Sequence, residues 1–142
     1  LGILAWQGQP LTLRVQRSSP EEPADIVVRW VEALGAMELG RAETEWSRSA
    51  DGRTGMRVRS FTLALQNPFD ASRPLEPMQV QLAAAHEMGH ALGLPHSDSP
   101  RDVMYPSNTA SSISPRDYET MAGLYRLENG AFLGPEALTG YR

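Results

Sequence analysis

Histidine occurs three times in this 142-residue chain, and all three copies lie in the segment HEMGHALGLPH that begins at His86. His86 and His90 are four residues apart, so on an α-helix both rings lie on one face and can reach the same metal ion. Gly93 permits the positive φ of a sharp reversal, which returns His96 toward the first two rings. Three neutral imidazoles leave one position of a tetrahedral zinc ion open, as in catalytic rather than structural sites.

Glu87 stands beside the first histidine but is displaced around the helix, so we expect it to reach a water on the metal rather than the metal itself. Zinc held by three protein ligands lowers the pKa of its bound water toward ~7 and polarises a carbonyl group. Glu87 would take a proton from that water as it attacks and pass the proton to the leaving amine. The segment therefore predicts a zinc-dependent endopeptidase, with Zn²⁺ as its cofactor.

Two other interpretations of the same segment remain open. In a gluzincin-type peptidase the third zinc ligand is a glutamate on a later helix, and Glu119 is the candidate in this chain. Alternatively, the domain is a catalytically silent zinc-binding interaction module. The presence of Glu87 argues against such a module, because a structural metal site has no need of a base.

The composition narrows the function classes further. Hydrophobic residues make up 41% and charged residues 21% of the chain, which is typical of one globular domain. Thirteen Lys and Arg against 17 Asp and Glu give a net charge of −4, which argues against nucleic-acid binding. Cysteine is absent, which excludes disulfides and thiolate ligands, and no apolar run is long enough to span a membrane.

The expected partner is a polypeptide substrate bound in extended form by a monomer. The chain begins with Leu and shows no basic-then-apolar leader, so we expect a processed or excised piece. A secreted or periplasmic location is expected from the function alone, since a broad-specificity protease is harmful inside its own cell.

Periodicity places the elements that must position these residues. It predicts strands at 11–16, 25–31 and 56–65, a short extended piece at 44–46, a helix from Pro77 or Met78 to about Leu92, a second helix from Ser114 or Pro115 to Tyr125, and a surface tail over 127–142. The first helix carries His86 and His90, and the irregular segment between the two helices carries His96.

Beyond the histidines, the sequence resembles the matrixins, a family of metzincin zinc peptidases. Ser97 follows the third histidine directly, and Val103-Met104-Tyr105-Pro106 resembles the family's Met-turn at its usual spacing. The segment Ile113–Tyr125 is similar to the closing helix of the family, and the earlier segments around Trp6 and Ala24–Val28 are similar more weakly. The compact length is most similar to the short bacterial matrixin-like peptidases.

The resemblance implies an α+β, metzincin-like zincin domain. It has a twisted mixed β-sheet, an active-site helix, and a small C-terminal subdomain that ends in a helix. Residues 1–142 would form one catalytic domain, with 1–96 as the N-terminal subdomain and 97–142 as the subdomain holding the Met-turn, last helix and tail. The stretch 61–65 is expected at a sheet edge that pairs with substrate.

The resemblance also implies roles for particular residues. His86, His90 and His96 would bind zinc, Glu87 would be general base and acid, and Gly93 would make the bend. Met104 would form the floor under the zinc, Asp117 would hydrogen-bond the Met-turn, and Tyr105, Pro106 and the residues up to Asn108 would line the pocket for the substrate side chain after the scissile bond.

The chain departs from the animal matrixins in three ways. No histidine remains for their second, structural zinc. Their acidic calcium loops are not evident, because Asp51 and Asp70 each stand without an acidic neighbour, so structural calcium is left open. Arg116 precedes Asp117 where many matrixins have a second acidic residue.

Overall fold

The computed structural model of the chain describes residues 1–8, 13–35, 37–48, 50, 54–107 and 109–128. Along the chain these form a 3-10 turn (Ile3–Trp6), strands β1 (Ile26–Val31), β2 (Gly40–Arg48) and β3 (Thr54–Ala64), and helices α1 (Pro77–Ala91) and α2 (Pro115–Tyr125). The two helices and a small mixed sheet confirm the predicted α+β class. Neither helix in this described part is long and apolar enough to cross a membrane.

β3 is the central strand of the sheet, in the order β1-β3-β2. It runs parallel to β1 and antiparallel to β2, so Phe61 pairs with Val28 on one side and with Ala42 on the other. The expectation that 61–65 forms a sheet edge open to substrate is therefore wrong. Apolar alternation indicates that one face of a strand is buried, but it does not tell which strands lie beside it. In the described sheet, the outer strands are β1 and β2.

The predicted strand at 11–16 is also wrong over its described part, because residues 13–16 belong to no strand. Leu13 and Val15 are nonetheless partly buried against the core, which accounts for their apolar alternation. The amide of Val15 donates a hydrogen bond to the side-chain oxygen of Gln7, at 3.1 Å, instead of to a neighbouring strand. Residues 11 and 12 lie outside the described part of the chain, as do Asp51, Asn108 and the tail from 129.

The sequence of α1 accounts for where the helix begins and for which of its residues are buried. Pro77 occupies the first turn, where its missing N–H has no helical partner to lose, and the Gln79 side chain accepts a hydrogen bond from the amide of Glu76 at 2.9 Å. Every residue from Ala83 to Gly89 is buried, and this stretch shares one core with Phe61 and Leu63 of β3. The central strand of the sheet thus supports the helix that carries the first two histidines.

α2 begins with a reciprocal cap. Ser114 Oγ accepts a hydrogen bond from the Asp117 amide at 3.0 Å, while the Asp117 carboxylate accepts one from the Ser114 amide at 2.8 Å. The first four N–H groups of an α-helix have no hydrogen-bond acceptor within the helix, and this reciprocal cap satisfies two N–H donors at the helix start. The start of α2, and with it the Asp117 carboxylate, is therefore fixed in position.

The N-terminal 3-10 turn ties the two helices together. The indole of Trp6, which is completely buried, donates a hydrogen bond to the Ala85 carbonyl of α1 at 2.8 Å. The hydroxyl of Tyr118 on α2 donates to the Ala5 carbonyl at 2.6 Å, and its ring packs edge-on against Trp6. Both helices are thereby held against a common support.

Candidate metal centre

Helix α1 and the bend after it bring the three histidines to one point. His86 and His90 lie one turn apart, and Gly93 adopts a positive φ of 108° just after the helix. The amide of Gly93 donates to the His90 carbonyl and the amide of Leu94 donates to that of Gly89, each at 2.9 Å, which satisfies the last carbonyls of the helix. A residue with a Cβ is disfavoured at this φ, so glycine makes the reversal possible.

The Nε2 atoms of the three rings converge. His86 Nε2 lies 3.1 Å from His90 Nε2, which lies 3.2 Å from His96 Nε2. Ligand nitrogens of a tetrahedral zinc ion with bonds of about 2.0–2.1 Å are about 3.3 Å apart. Among the residues that the structure describes, these three form the only cluster of at least three His, Cys, Asp or Glu side chains able to hold a metal ion.

The hydrogen bonds on the far side of two of these rings fix their tautomers. His86 Nδ1 lies 2.7 Å from the Val103 carbonyl and His90 Nδ1 lies 2.7 Å from the Leu94 carbonyl. A carbonyl only accepts, so each Nδ1 carries the proton and each Nε2 presents a lone pair. Two lone pairs at 3.1 Å repel one another unless a cation lies between them. The donor set therefore fits a divalent metal ion.

The electrostatics of the site keep these rings neutral. Burial is the largest influence on all three, and it lowers the pKa of His86 and His96 and lowers that of His90 to about 4. The bonds to Val103 and Leu94 oppose this lowering in part. Only the neutral imidazole binds a metal, so the rings are in their ligand form at neutral pH.

Glu87 follows His86 on α1 and has a buried carboxyl group. Burial raises its pKa to about 7; the negative charge of Glu38 adds to this, and a hydrogen bond from the Ala42 amide opposes it. β2 passes so close that a Cβ on Gly40 would lie 2.5 Å from the Cγ of Glu87. A carboxyl group with this pKa can both accept and return a proton near neutral pH.

Beneath the histidines lies the loop that follows His96. Met104 is fully buried, and its sulfur lies against α1 where a Cβ on Gly89 would be only 2.3 Å away. The carboxylate of Asp117, also fully buried, accepts hydrogen bonds from the amides of Val103 at 2.8 Å and Met104 at 3.4 Å. The backbone of Val103 thus links two side chains: its N–H donates to Asp117, and its carbonyl accepts from the ring of His86.

Other residues predicted to matter lie farther out. Tyr105 is half-buried and Pro106 exposed, directly after Met104. Glu119, the alternative third ligand, is exposed on α2 and belongs to no metal-binding cluster within the described residues. Asp70 accepts hydrogen bonds from the amide and hydroxyl of Ser72, at 3.1 and 2.6 Å, and so caps its own turn.

Sequence reasoning missed a second group of residues at the site. Asp102 is buried and accepts hydrogen bonds from Ser97 and Ser114, and it carried no sequence signal. Arg116 was noted only as a departure from a pattern, yet it contacts Asp102. Gly40 was assigned no role, although its lack of a side chain makes room for Glu87. Apart from the contact between Ser97 and Asp102, each of these contacts joins segments that are at least 12 residues apart in sequence.

Comparison with known proteins identifies both a family model and similar curated proteins. The family model described as Matrixin matches residues 5–126. A curated protein named probable matrix metalloproteinase 095L, from Invertebrate iridescent virus 3, is 48% identical over 134 residues. That alignment covers 84% of this chain and 34% of the viral protein, so the chain spans about a third of its relative's length. No solved structure gives a significant match.

Proposed function

The chain belongs to the matrixin family, and on that basis we propose that it is a zinc-dependent endopeptidase. We propose His86, His90 and His96 as the zinc ligands and Glu87 as the general base and acid. The observation that carries the proposal is the convergence of three Nε2 atoms, together with the buried carboxyl group of Glu87 on the same helix. When bound, zinc supplies a Lewis acid that polarises the scissile carbonyl and lowers the pKa of water.

Glu87 performs the proton transfers in this proposal. Its carboxylate takes a proton from the water as the water oxygen forms a bond to the scissile carbonyl carbon. The carboxyl group then delivers this proton to the peptide nitrogen, and the C–N bond breaks to release the amine. The Ala42 amide orients the carboxyl group by donating a hydrogen bond to it. A metal ion held by His86, His90 and His96 would favour the carboxylate form of Glu87 before attack, because its positive charge would oppose the effect of burial.

The substrate in this proposal is an extended polypeptide. Within the described residues β2 pairs with β3 on one edge and with no strand on the other, and its residues Gly40 and Ala42 lie against Glu87. An extended chain that adds to the other edge of β2 would pass the carboxyl group and gain main-chain hydrogen bonds. Met104 and Asp117 would support the floor of the site. Tyr105 and Pro106 would form one wall of the pocket for the side chain after the scissile bond.

The proposed catalytic unit has two parts with the cleft between them. Residues 1–96 supply the sheet, α1 and the histidine motif, and residues from 97 onward supply the loop under the metal and α2. We propose that this unit acts as a monomer outside the cell or in the periplasm. Cell fractionation with an antibody against the domain tests the location, and sedimentation tests the oligomeric state.

A quenched-peptide assay with matched variants tests the activity. Wild-type protein loaded with zinc should cleave an extended peptide, a chelator should abolish cleavage, and Glu87→Gln should lose at least about 100-fold in kcat while retaining zinc. Glu119→Gln, an exposed change on α2, is the control and should leave both properties unchanged. Equal inertness of wild type and Glu87→Gln, with zinc bound to both, would instead support a silent zinc-binding module.

The same protein preparations test the ligand set. Zinc content should fall in His96→Asn and persist in Glu119→Gln. A gluzincin-type site would give the opposite result, with zinc lost in the second variant and kept in the first.

A further inference from the structure

His96 is the least supported of the three histidines. The rings of His86 and His90 are each held from behind by a backbone carbonyl at 2.7 Å, and both residues belong to α1. Within the described residues, no hydrogen bond reaches Nδ1 of His96, and the residue is exposed in a loop. The position of its ring therefore depends on how firmly the backbone around it is held.

The backbone after His96 is anchored through Ser97, which is 2% exposed. Its amide donates to the Met104 carbonyl at 2.9 Å, and its hydroxyl donates to the buried carboxylate of Asp102. The second oxygen of Asp102 accepts a hydrogen bond from Ser114 Oγ, the cap of α2, at 2.7 Å. Asp102 thus connects the residue after His96 to the start of the last helix.

Arg116 completes this connection with two ion pairs. Its guanidinium lies 2.7 Å from Asp98 Oδ1 and 3.1 Å from Asp102 Oδ2. It also donates to Ser97 Oγ at 3.5 Å. A guanidinium presents five donors in a rigid planar fork, so it can hold several loop groups in a fixed arrangement, whereas an ammonium group presents three donors from a single atom and lacks this fork. The charge of Arg116 also balances the carboxylate of Asp102, which is 2% exposed.

We propose that Arg116 is a positioning residue for the metal ligand His96, acting through Ser97, Asp98 and Asp102. The proposal rests on the function proposed above, since it requires that His96 bind zinc. In this proposal the first turn of α2 holds His96, the one proposed zinc ligand that lies outside α1, in position. In the competing interpretation, Arg116 stabilises the fold in general and does not affect the third ligand in particular.

Zinc affinity tests the proposal without reference to activity. Competition against a chromophoric chelator should give a Kd about tenfold higher for Arg116→Met than for the wild type, the low end of the range for outer-shell partners. Arg116→Lys should lie between the two. Arg126→Met, which changes an exposed arginine at the end of the same helix, should leave Kd unchanged. Circular dichroism melting curves of the zinc-free proteins identify a temperature at which all variants are folded, and Kd is measured at that temperature.

Asp98→Asn provides a milder variant should Arg116→Met fail to fold. It breaks the exposed ion pair, whose carboxylate is 58% exposed, and should raise Kd by about twofold. An unchanged Kd in Arg116→Met, or in Asp98→Asn where Arg116→Met does not fold, would overturn the proposal.

A double-mutant cycle separates positioning of His96 from general stabilisation. In a His96→Ala background the third ligand is gone, so Arg116→Met should cause no further loss of zinc affinity. A tenfold loss that persists in that background would overturn the positioning role while leaving the proposed zinc site intact. A wild-type protein that binds no zinc would overturn both proposals.

Discussion

Replacement of Asp117 by asparagine probes the link between the last helix and the metal site. The carboxylate is fully buried, and its Oδ2 accepts the amides of Val103 and Ser114 at 2.8 Å each. Asparagine has the same shape, but it offers one neutral oxygen in place of two carboxylate oxygens that share a negative charge. Its amide group would face the Met104 N–H, which now lies 3.4 Å from Oδ1.

The expected loss follows from these contacts. Hydrogen bonds to a charged acceptor contribute about 1.5–3 kcal/mol and neutral ones about half as much, so weakening two short bonds costs about 1.5–3 kcal/mol. Asp117→Ala leaves the buried amides without this acceptor and should cost about 4–6 kcal/mol. Because the Val103 peptide also holds the ring of His86, zinc Kd should rise about tenfold in Asp117→Asn.

Urea denaturation of the zinc-free proteins measures the first effect, and chelator competition measures the second. Glu119→Gln is the control, since an exposed change on the same helix should alter the free energy of unfolding by less than about 0.5 kcal/mol. The reasoning is refuted if Asp117→Asn unfolds within that margin of wild type. If Asp117→Asn is less stable but has an unchanged zinc Kd, Asp117 stabilises the start of α2 and does not affect the metal site.

Three further predictions concern the site itself. In zinc-free protein at pH 8, Glu87→Gln should raise the free energy of unfolding by about 2–3 kcal/mol, because burial raises the pKa of the wild-type carboxyl from 4.5 to about 7 and its ionisation disfavours the folded state. This gain should shrink as the pH falls from 7 to 4.5 and vanish below it; urea titrations that show a constant gain would contradict the assignment. Gly40→Ala would place a Cβ 2.7 Å from Glu87 Oε1, so kcat on a quenched peptide should fall about 10–100-fold while zinc Kd stays the same; unchanged kcat would show that the carboxyl group has room to move. Chelation should lower the free energy of unfolding by about 2.7 kcal/mol relative to protein in free zinc at 100 times Kd, and His90→Ala should abolish this difference, as thermal denaturation can measure.

Local patterns were sufficient for β1, β3, the two helices and the histidine motif. The placement of His86 and His90 on one face follows from helix geometry, and the bend at Gly93 follows from the conformational freedom of glycine. Those properties depend on neighbours within about one turn of the chain, so the sequence contains all that is needed to predict them.

The order of the strands could not be read in the same way. The alternation in 56–65 correctly indicated a strand with a buried face, yet that strand lies in the centre of the sheet instead of at its edge. Leu13 and Val15 alternate like a strand and pack against the core without pairing as one. Both errors have one cause, since burial leaves a trace in side-chain type whereas hydrogen-bond partners are chosen by backbone groups that every residue shares.

The sequence by itself determined three candidate ligand side chains, a neighbouring acid and the helix that carries most of them. Tertiary structure alone decided the groups that set their behaviour: the Val103 carbonyl behind His86, the Ala42 amide on Glu87, and the contact between Arg116 and Asp102. These partners lie from 14 to 45 residues away along the chain, and only folding brings them within hydrogen-bonding distance. Chemical identity is encoded locally, whereas tautomer, pKa and orientation arise from the surroundings that the fold provides.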